Sequence, residues 1–275
     1  MRRALGISTS MLSQQLTPEN LCATAQVGVQ VVEVYTPLGC ELHADDACVE
    51  RTAAALSEAG LKVWSVHAPF GGTTDLSDPD ELHRRESVGA VARAVEIAGM
   101  FGARLVVVHA GLTAENPDEC ELRRRQSLRS INCLLKRTAQ LGVWLAVEYL
   151  PANKPRLCND SAAILDFVRF CDGCLAVCLD TNHANLREPL ADAIRTLGSR
   201  IQTVHISDND GVQERHWLPG DGVIDWGEFI SLLDLIDYTG PLMMEAIEDR
   251  PVPELMARTA ARAREHLGWE PPDGA

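Results

Sequence analysis

Lysine is scarce in this chain, with only Lys62, Lys136 and Lys154 among 275 residues, and the formal net charge is -14 at pH 7. Proteins that follow nucleic-acid phosphates or bind anionic membranes normally carry a basic field. The charge balance therefore argues against both kinds of partner, although a local basic groove on an acidic body would still admit DNA. We expect a small-molecule substrate and no nucleic acid.

Long apolar runs are also missing. No uninterrupted apolar stretch approaches the ~20 residues of a membrane span, and the apolar residues 4–7 are too few for the core of a signal peptide. No Gly-x-Gly-x-x-Gly motif follows the first predicted strand, so the usual dinucleotide fingerprint is absent. These absences predict a cytoplasmic protein that does not enter a membrane.

Cysteine is present, but not in the pattern of a disulfide framework. The nine cysteines are an odd number and are scattered along the chain. We expect most of them to be reduced packing residues inside the protein. Cys171 and Cys174 have the spacing of a metal or redox pair, yet no second pair accompanies them, and a structural role is favoured.

Short strand-like runs alternate with helix-like stretches along the whole chain. The pattern predicts eight strands, near residues 4–8, 29–35, 61–67, 103–109, 143–149, 174–180, 201–206 and 241–245. Six of them end on an acid or a histidine: His67, His109, Glu148, Asp180, His205 and Glu245. In an open sheet with strands ~4.8 Å apart, these groups would spread over more than ~20 Å. A closed barrel gathers them at one mouth, so we predict an α/β protein with a single (β/α)8 TIM barrel over residues 1–275.

Several helix ends can also be predicted. Thr17, followed by a proline, is a good N-cap, and Asp78 before Pro79 repeats the arrangement. Gly102 is a natural helix stop. Asp225 resembles the start of a capping box for the seventh helix, and the final helix is expected around residues 252–267.

Four of the strand-end groups form a candidate metal site: Glu148, Asp180, His205 and Glu245. Three carboxylates meeting in one mouth would repel each other, and ionised carboxylates are costly to desolvate. A divalent cation would give the oxygens and the imidazole nitrogen a common partner. Mixed oxygen and nitrogen ligands suit Mn²⁺, Co²⁺, Fe²⁺ or Zn²⁺. The alternative is that each polar group only caps its strand or pairs with an arginine.

The segments around these groups, residues 179–185, 204–209 and 216–226, resemble the xylose isomerase-like superfamily of TIM barrels, in particular its sugar-phosphate isomerase/epimerase group. The resemblance extends over essentially the whole chain. For ketose 3-epimerases it implies one divalent metal, Mn, Co or Zn, held by the tetrad Glu148, Asp180, His205 and Glu245. It also implies that Glu148 and Glu245 are the catalytic acid/base pair.

The same resemblance implies substrate contacts from His183, His216 and Arg215, with residues 216–222 forming a loop over the site. His67 and His109 are further candidates for contacts with the sugar, and Trp226 is a candidate for the pocket wall, although packing at a helix cap explains it equally well. Relatives are frequently dimers or tetramers, which implies a homo-oligomer.

The residue chemistry agrees with an isomerase or epimerase of sugars, sugar phosphates or inososes. A metal that bridges adjacent carbonyl and hydroxyl oxygens acidifies the neighbouring C–H group and stabilises an enediolate. One glutamate removes the proton, and the other can return a proton to the opposite face. Return to the adjacent carbon would interconvert an aldose and a ketose instead, and the residues do not choose between these outcomes.

A second resemblance is to endonuclease IV-type apurinic-site nucleases, whose trinuclear zinc site uses side chains that match His67, His109, Glu148, Asp180, His183, His205, Glu214, His216 and Glu245. Glu214 stands where the nuclease pattern has aspartate, lysine is scarce, and the loop after His216 is more similar to that of sugar isomerases. The sugar enzyme is therefore preferred. A metal-dependent dehydratase or lyase of the same fold, or a sugar-sensing barrel without turnover, remains an alternative.

Two weaker features complete the set of candidates. Lys154 and Arg156, after the fifth strand, could bind a substrate phosphate or carboxylate, but solvated loop charges are the more common case. Glu33, near the end of the second strand, is expected to support His67 from outside the ligand shell.

Overall fold

Eight short parallel strands alternate with helices in the described part of the chain. The structure is a computed structural model that describes residues 2–12, 16–36, 43, 45–151 and 155–272. The strands are β1 (Leu5–Ser8), β2 (Val31–Tyr35), β3 (Lys62–His67), β4 (Leu105–Val108), β5 (Trp144–Glu148), β6 (Leu175–Asp180), β7 (Ile201–His205) and β8 (Leu242–Met244). Each predicted strand is present, with ends that differ by at most two residues from those expected.

The strands form one sheet in which sequence neighbours are also spatial neighbours, and β8 returns to pair with β1. The ring closes between β7 and β8 through Ile206, whose backbone N–H donates to Met243 O at 2.8 Å. The Ile206 carbonyl in turn accepts from Glu245 N at 3.0 Å. The predicted (β/α)8 barrel is therefore confirmed, and its seam lies directly beside two of the predicted site residues.

The helices surround the barrel and bury one face each. They are α1 (Pro18–Gln26), α2 (Asp46–Glu58), α3 (Glu81–Phe101), α4 (Pro117–Leu141), α5 (Ser161–Arg169), α6 (Thr181–Asn185), α7 (Leu190–Leu197), α8 (Trp226–Leu235) and α9 (Val252–Leu267). The short 3-10 turns Thr9–Leu12 and Gly198–Arg200 follow β1 and α7.

Most of the predicted helix ends are confirmed. The Thr17 hydroxyl accepts from Asn20 N, the Asp225 carboxylate accepts from Glu228 N, and Gly102 ends α3 with a φ of 65°. The predicted cap at Asp78 is wrong. Asp80 caps α3 by accepting from the backbone N–H groups of residues 82 and 83, whereas the Asp78 carboxylate accepts from Asp80 N and shapes the turn before the helix.

Alternation along each strand separates two apolar regions. Val106 and Val108 belong to the large core between the strands and the helices, whereas Leu105 and Val107 pack in a smaller cluster with Ala146, Ala176 and Cys178. This smaller cluster fills the barrel interior. Continuing the same alternation brings His109, Glu148 and Asp180 into the interior one layer higher, at the carboxyl ends of the strands.

The described cysteines carry no disulfide, as expected for reduced thiols. Eight are free thiols, of which Cys158 and Cys178 are buried. The expectation that most are buried is wrong for the described cysteines, because only these two of the eight are buried, whereas Cys22, Cys133 and Cys174 are exposed. Within the described ranges, no helix combines the length and apolar character that crossing a membrane would need.

Candidate metal centre

A cavity of about 330 Å³ opens at the carboxyl ends of the strands. Its wall includes six of the predicted site residues: His67, His109, Glu148, His183, His216 and Glu245. These side chains come from different strands and from the loops that follow them, and the closed sheet brings them together as the barrel argument requires. The mouth of the barrel is therefore the candidate functional site.

The predicted tetrad is assembled at the base of this mouth. One ligand atom from each of Glu148, Asp180, His205 and Glu245 lies within 4.8 Å of all the others. His205 Nδ1 is 2.9 Å from Glu245 Oε2 and 3.6 Å from Glu148 Oε1. Asp180 and His205 are fully buried, and Glu148 is almost so.

The buried polar atoms of the tetrad fit a cation. Asp180 Oδ2 is buried without a hydrogen-bond partner, and the contacts of His205 Nδ1 with Glu245 and Glu148 do not have hydrogen-bond geometry. A buried carboxylate oxygen and a buried imidazole nitrogen that face the same small volume without hydrogen bonds are costly unless something electropositive joins them. Three carboxylates and one imidazole form a donor set suited to Mn²⁺, Co²⁺ or Zn²⁺.

Glu33 supports His205, not His67 as expected. Glu33 Oε1 lies 3.0 Å from His205 Nε2, on the side of the ring away from Glu245, and Glu33 Oε2 accepts a hydrogen bond of 2.7 Å from Ser65 Oγ. A carboxylate on the outer nitrogen of a histidine fixes the ring and makes its inner nitrogen a better ligand. The prediction missed this pairing because the two residues lie on opposite sides of the barrel.

Two further groups of metal-competent side chains flank the tetrad. The first is His67, His109 and Glu148. His67 Nε2 and His109 Nε2 lie 3.1 Å and 2.9 Å from Glu148 Oε2. The Nδ1 of His67 is 2.9 Å from the carbonyl of Ala68, so Nδ1 carries a proton and Nε2 is directed into the mouth.

The second flanking group is His183, Glu214 and His216. His183 Nδ1 is 2.9 Å from the carbonyl of Tyr149, which leaves Nε2 facing Glu214 Oε1 at 3.6 Å. His216 Nε2 lies 3.3 Å from the same oxygen. The four histidines expected to touch substrate therefore lie at the mouth, but in two groups that could also hold ions.

Electrostatics in the mouth are dominated by burial and by close carboxylate–imidazole pairs. Burial would raise the pKa of Glu245, but the adjacent His205 holds it at about 2. Burial also opposes protonation of His205, yet Cys178 and the carboxylates of Glu245 and Glu33 raise its pKa well above the ordinary value. Burial raises the pKa of Asp180 and lowers that of His109 to about 4.

Two predicted substrate contacts lie elsewhere. The Trp226 ring is buried against Phe229, and its Nε1 donates to Asp208 Oδ2 at 2.9 Å, so this indole holds the loop and does not line the cavity. Arg215 points its guanidinium at Asp210 and over the Trp217 ring. Neither residue lines the cavity in the described structure, and a contact of either one with substrate stays a prediction.

Other wall residues were not expected as site residues. Tyr35 and Phe70 form an aromatic side of the cavity, with the Phe70 ring stacked on His109 at 3.9 Å between centroids. Tyr35 ends β2, so its position follows from the strand pattern, but a tyrosine at a strand end does not by itself indicate a metal or acid/base site as acids and histidines do. Arg156, which the sequence offered as a weaker candidate for binding a substrate phosphate or carboxylate, also lines the cavity. Lys154 lies outside the described residues.

A closed parallel barrel with carboxylates and imidazoles at its carboxyl face defines a (β/α)8 barrel protein with a polar, metal-competent mouth. The chain belongs to the xylose isomerase-like TIM barrel family, whose model matches residues 21–269.

Curated relatives of different names match most of the chain. An uncharacterized protein, y4fM of Sinorhizobium fredii, is 29% identical over 75% of this chain and 73% of its own length. An L-ribulose 3-epimerase of a Methylomonas species is 25% identical over 77% and 73% of the two chains. A probable endonuclease 4 of Campylobacter concisus is 27% identical over 73% and 77%.

Among solved structures, a D-psicose 3-epimerase from Clostridium cellulolyticum, determined with D-tagatose, superposes with a TM-score of 0.81. The match covers 96% of this chain and 99% of that one, at 21% identity. At this identity the likeness concerns the fold.

Proposed function

We propose that the protein is a divalent-metal-dependent isomerase or epimerase of a sugar, sugar phosphate or inosose. The observation that carries the proposal is that two cavity-facing glutamates, Glu148 and Glu245, lie in one group with Asp180 and His205. Relatives named as epimerases of ketoses support the same chemistry. Binding a neutral sugar would not require two carboxylates at the base of the pocket.

Glu148, Asp180, His205 and Glu245 would hold the metal, and Mn²⁺, Co²⁺ and Zn²⁺ fit this donor set. A bound divalent cation supplies Lewis acidity toward neighbouring carbonyl and hydroxyl oxygens of a substrate. The remaining work belongs to the side chains. Asp180 and His205, both fully buried, fix the base of the site.

Proton transfer is assigned to the two glutamates. The pKa of Glu245 is about 2 and that of Glu148 lies well below the ordinary value, where pairing with His109, His205 and His67 outweighs burial. Both carboxylates are therefore charged at neutral pH, and each can accept a proton from the carbon beside a substrate carbonyl. For epimerisation, the second carboxylate takes a proton from solvent and delivers it to the opposite face, and the first glutamate then releases the abstracted proton to solvent. Histidines 67, 109, 183 and 216 are the proposed contacts for substrate hydroxyls.

Hydrogen exchange between ketose and solvent tests this proposal. The metal-loaded protein is incubated in D₂O with a panel of ketoses and inososes, and deuterium incorporation is followed by NMR. We expect exchange with at least one substrate and its loss in both Glu148→Gln and Glu245→Gln, with metal content measured for each variant. Glu254→Gln, at an exposed side chain of α9, is the matched control. Unchanged exchange in both glutamine variants at the mouth would refute the two-glutamate mechanism.

A second candidate is a zinc-dependent apurinic-site nuclease. The observation in its favour is that three groups of metal-competent side chains meet at the mouth, with Glu148 shared between two of them. This candidate requires about three metal ions per chain and cleavage of an abasic-site oligonucleotide. The sugar enzyme requires turnover of a small substrate and no cleavage. Metal analysis by mass spectrometry, with both substrates assayed on the same preparation, separates the two.

A further inference from the structure

Arg156 lies on the cavity wall and is held there by its backbone. It follows β5 and forms an isolated antiparallel bridge with Leu112. The flanking bonds run from Leu157 N to Gly111 O at 3.0 Å and from Thr113 N to Pro155 O at 2.9 Å. The guanidinium is therefore presented from a short paired segment and not from a free loop.

The charge of Arg156 is uncompensated within the described residues. Its Nε is buried and has no hydrogen-bond partner. The carboxylates on the cavity wall are Glu148, Glu214 and Glu245, and none of them lies within ion-pair distance of Arg156 in the described structure. A buried guanidinium N–H without an acceptor is costly, and such a group is a candidate for binding an anionic ligand.

A second chamber of about 220 Å³ adjoins the mouth and shares Phe70, His109 and Arg156 with it. Its one carboxylate, Asp75, is already neutralised. Asp75 Oδ1 accepts from Ser77 N at 2.9 Å and Ser77 Oγ at 2.6 Å, and Asp75 Oδ2 accepts from Arg123 Nη1 at 3.0 Å. Among the described residues that line the second chamber, Arg156 is therefore the charged side chain without an ion-pair partner.

We propose that Arg156 binds a carboxylate or phosphate group on the substrate, so that the carbonyl end of the sugar lies at the tetrad and the acidic end lies toward the second chamber. This proposal rests on the proposed function and sharpens it. The substrate would be an acidic ketose, in contrast to the neutral ketoses in the names of the relatives.

Three probes with the same carbon skeleton test the assignment: D-tagatose, its 6-phosphate and its 6-carboxylate. KM and kcat are measured by solvent-deuterium exchange for the wild type, Arg156→Gln and Arg156→Lys. Loss of a charged hydrogen bond corresponds to roughly a 10- to 100-fold change in affinity. We expect Arg156→Gln to raise KM by that factor for the acidic probe that is used, and to raise the KM of D-tagatose by much less. Arg156→Lys should restore most of the loss.

The two acidic probes distinguish phosphate from carboxylate, and Arg85→Gln, at an exposed helix position, is the matched control. Equal use of D-tagatose and both acidic probes, or an equal rise in KM for all three in Arg156→Gln, would overturn the assignment and leave the proposed function standing.

If no sugar exchanges hydrogen, the proposed function fails. Calorimetric binding of the same acidic sugars to wild type and Arg156→Gln then decides the role of Arg156: weaker binding to the variant supports it, and equal binding or none overturns it.

Discussion

His205 lies between two carboxylates. Glu245 approaches its Nδ1 at 2.9 Å from the mouth, and Glu33 approaches its Nε2 at 3.0 Å from within the barrel. The ring is fully buried, so each contact acts in a medium of low dielectric constant. Ser65 completes the arrangement by holding the far oxygen of Glu33. The orientation of the one imidazole in the tetrad therefore depends on a residue that does not reach the cavity.

We expect Glu33→Gln to weaken metal binding by roughly 10- to 100-fold, because the amide keeps the shape of the side chain but loses the charge that orients and polarises His205. Isothermal titration of the metal-free protein with Mn²⁺ measures the change. Ser65→Ala leaves the carboxylate in place and should produce a smaller loss. Equal affinities of wild type and Glu33→Gln would show that Glu33 does not act through His205.

For individual residues, the sequence predicts the four members of the tetrad but not the side chains that orient them. Glu148, Asp180, His205 and Glu245 stand at strand ends, where the closure of the sheet dictates that they meet. The partner of Glu33 depends on which side chains face each other across the barrel, and local sequence does not contain that information. The direction of Trp226 is likewise set by Asp208, since a helix cap does not determine where its first side chain points.

The loop between β7 and α8 is organised by one buried carboxylate, Asp208. Its Oδ1 accepts from Asn209 N at 2.9 Å and Ile224 N at 3.2 Å, and its Oδ2 accepts from Gly220 N and Trp226 Nε1, both at 2.9 Å. The backbone of Asp208 also pairs with Trp217 in both directions. This loop carries Glu214 and His216 into the mouth. Asp208 therefore positions two of the three members of the second flanking group, and the third, His183, lies on α6.

We expect Asp208→Asn to lower the free energy of unfolding by ~2–4 kcal/mol, because one carboxylate oxygen that accepts two hydrogen bonds is replaced by a donor. Thermal unfolding followed by circular dichroism measures the loss. Trp226→Phe removes one donor and retains the packing, so it should cost less, and Asp249→Asn at an exposed position should cost nothing measurable. A loss in Asp208→Asn no larger than in Asp249→Asn would contradict the assigned role.

The presence of the strands and helices could be predicted from the sequence more reliably than the residues at which they begin and end. Eight strands follow from buried apolar runs of strand length, and Thr17, Gly102 and Asp225 act as the expected caps. The start of α3 was misjudged because two aspartates flank Pro79 and either could cap a helix. The geometry of the turn, in which Asp78 bonds to Asp80 N, decides between them.

The chain carries a formal net charge of -14, and within the described residues three groups of acids and histidines meet at the mouth of the barrel. The overall architecture could be predicted from alternation and polar strand ends alone. The grouping of the remaining histidines and Glu214 into two sets beside the tetrad could not be predicted, because it depends on distances of a few ångströms between loops that follow different strands.

We expect Mn²⁺ at about 100 times its dissociation constant to stabilise the protein by ~2.7 kcal/mol, or roughly 5–10 °C in melting temperature. The shift should be larger at pH 8 than at pH 6. The pKa of His205 is raised well above its ordinary value, so Mn²⁺ must displace a proton from this ligand, which becomes easier as the pH rises. Thermal melts at both pH values, with and without EDTA, measure the shift.

The metal-free protein should show the opposite trend. A histidine with a raised folded-state pKa contributes stability that is complete below about pH 6.5 and is lost as the pH rises through the folded-state value. Asp180→Asn, which removes a tetrad charge, should melt at the same temperature with and without Mn²⁺. A wild-type shift that is independent of pH, or one that persists in Asp180→Asn, would exclude the tetrad as the binding site.

The closure between β7 and β8 has a consequence for motion. Two backbone hydrogen bonds through Ile206 join these strands, and His205 and Glu245 sit on opposite sides of that join. Any fluctuation that parts the strands must also separate these two side chains. A ligand that binds both His205 and Glu245 therefore also stabilises the pairing of β7 with β8. In turn, closure of the ring favours binding of that ligand, because the two equilibria are coupled.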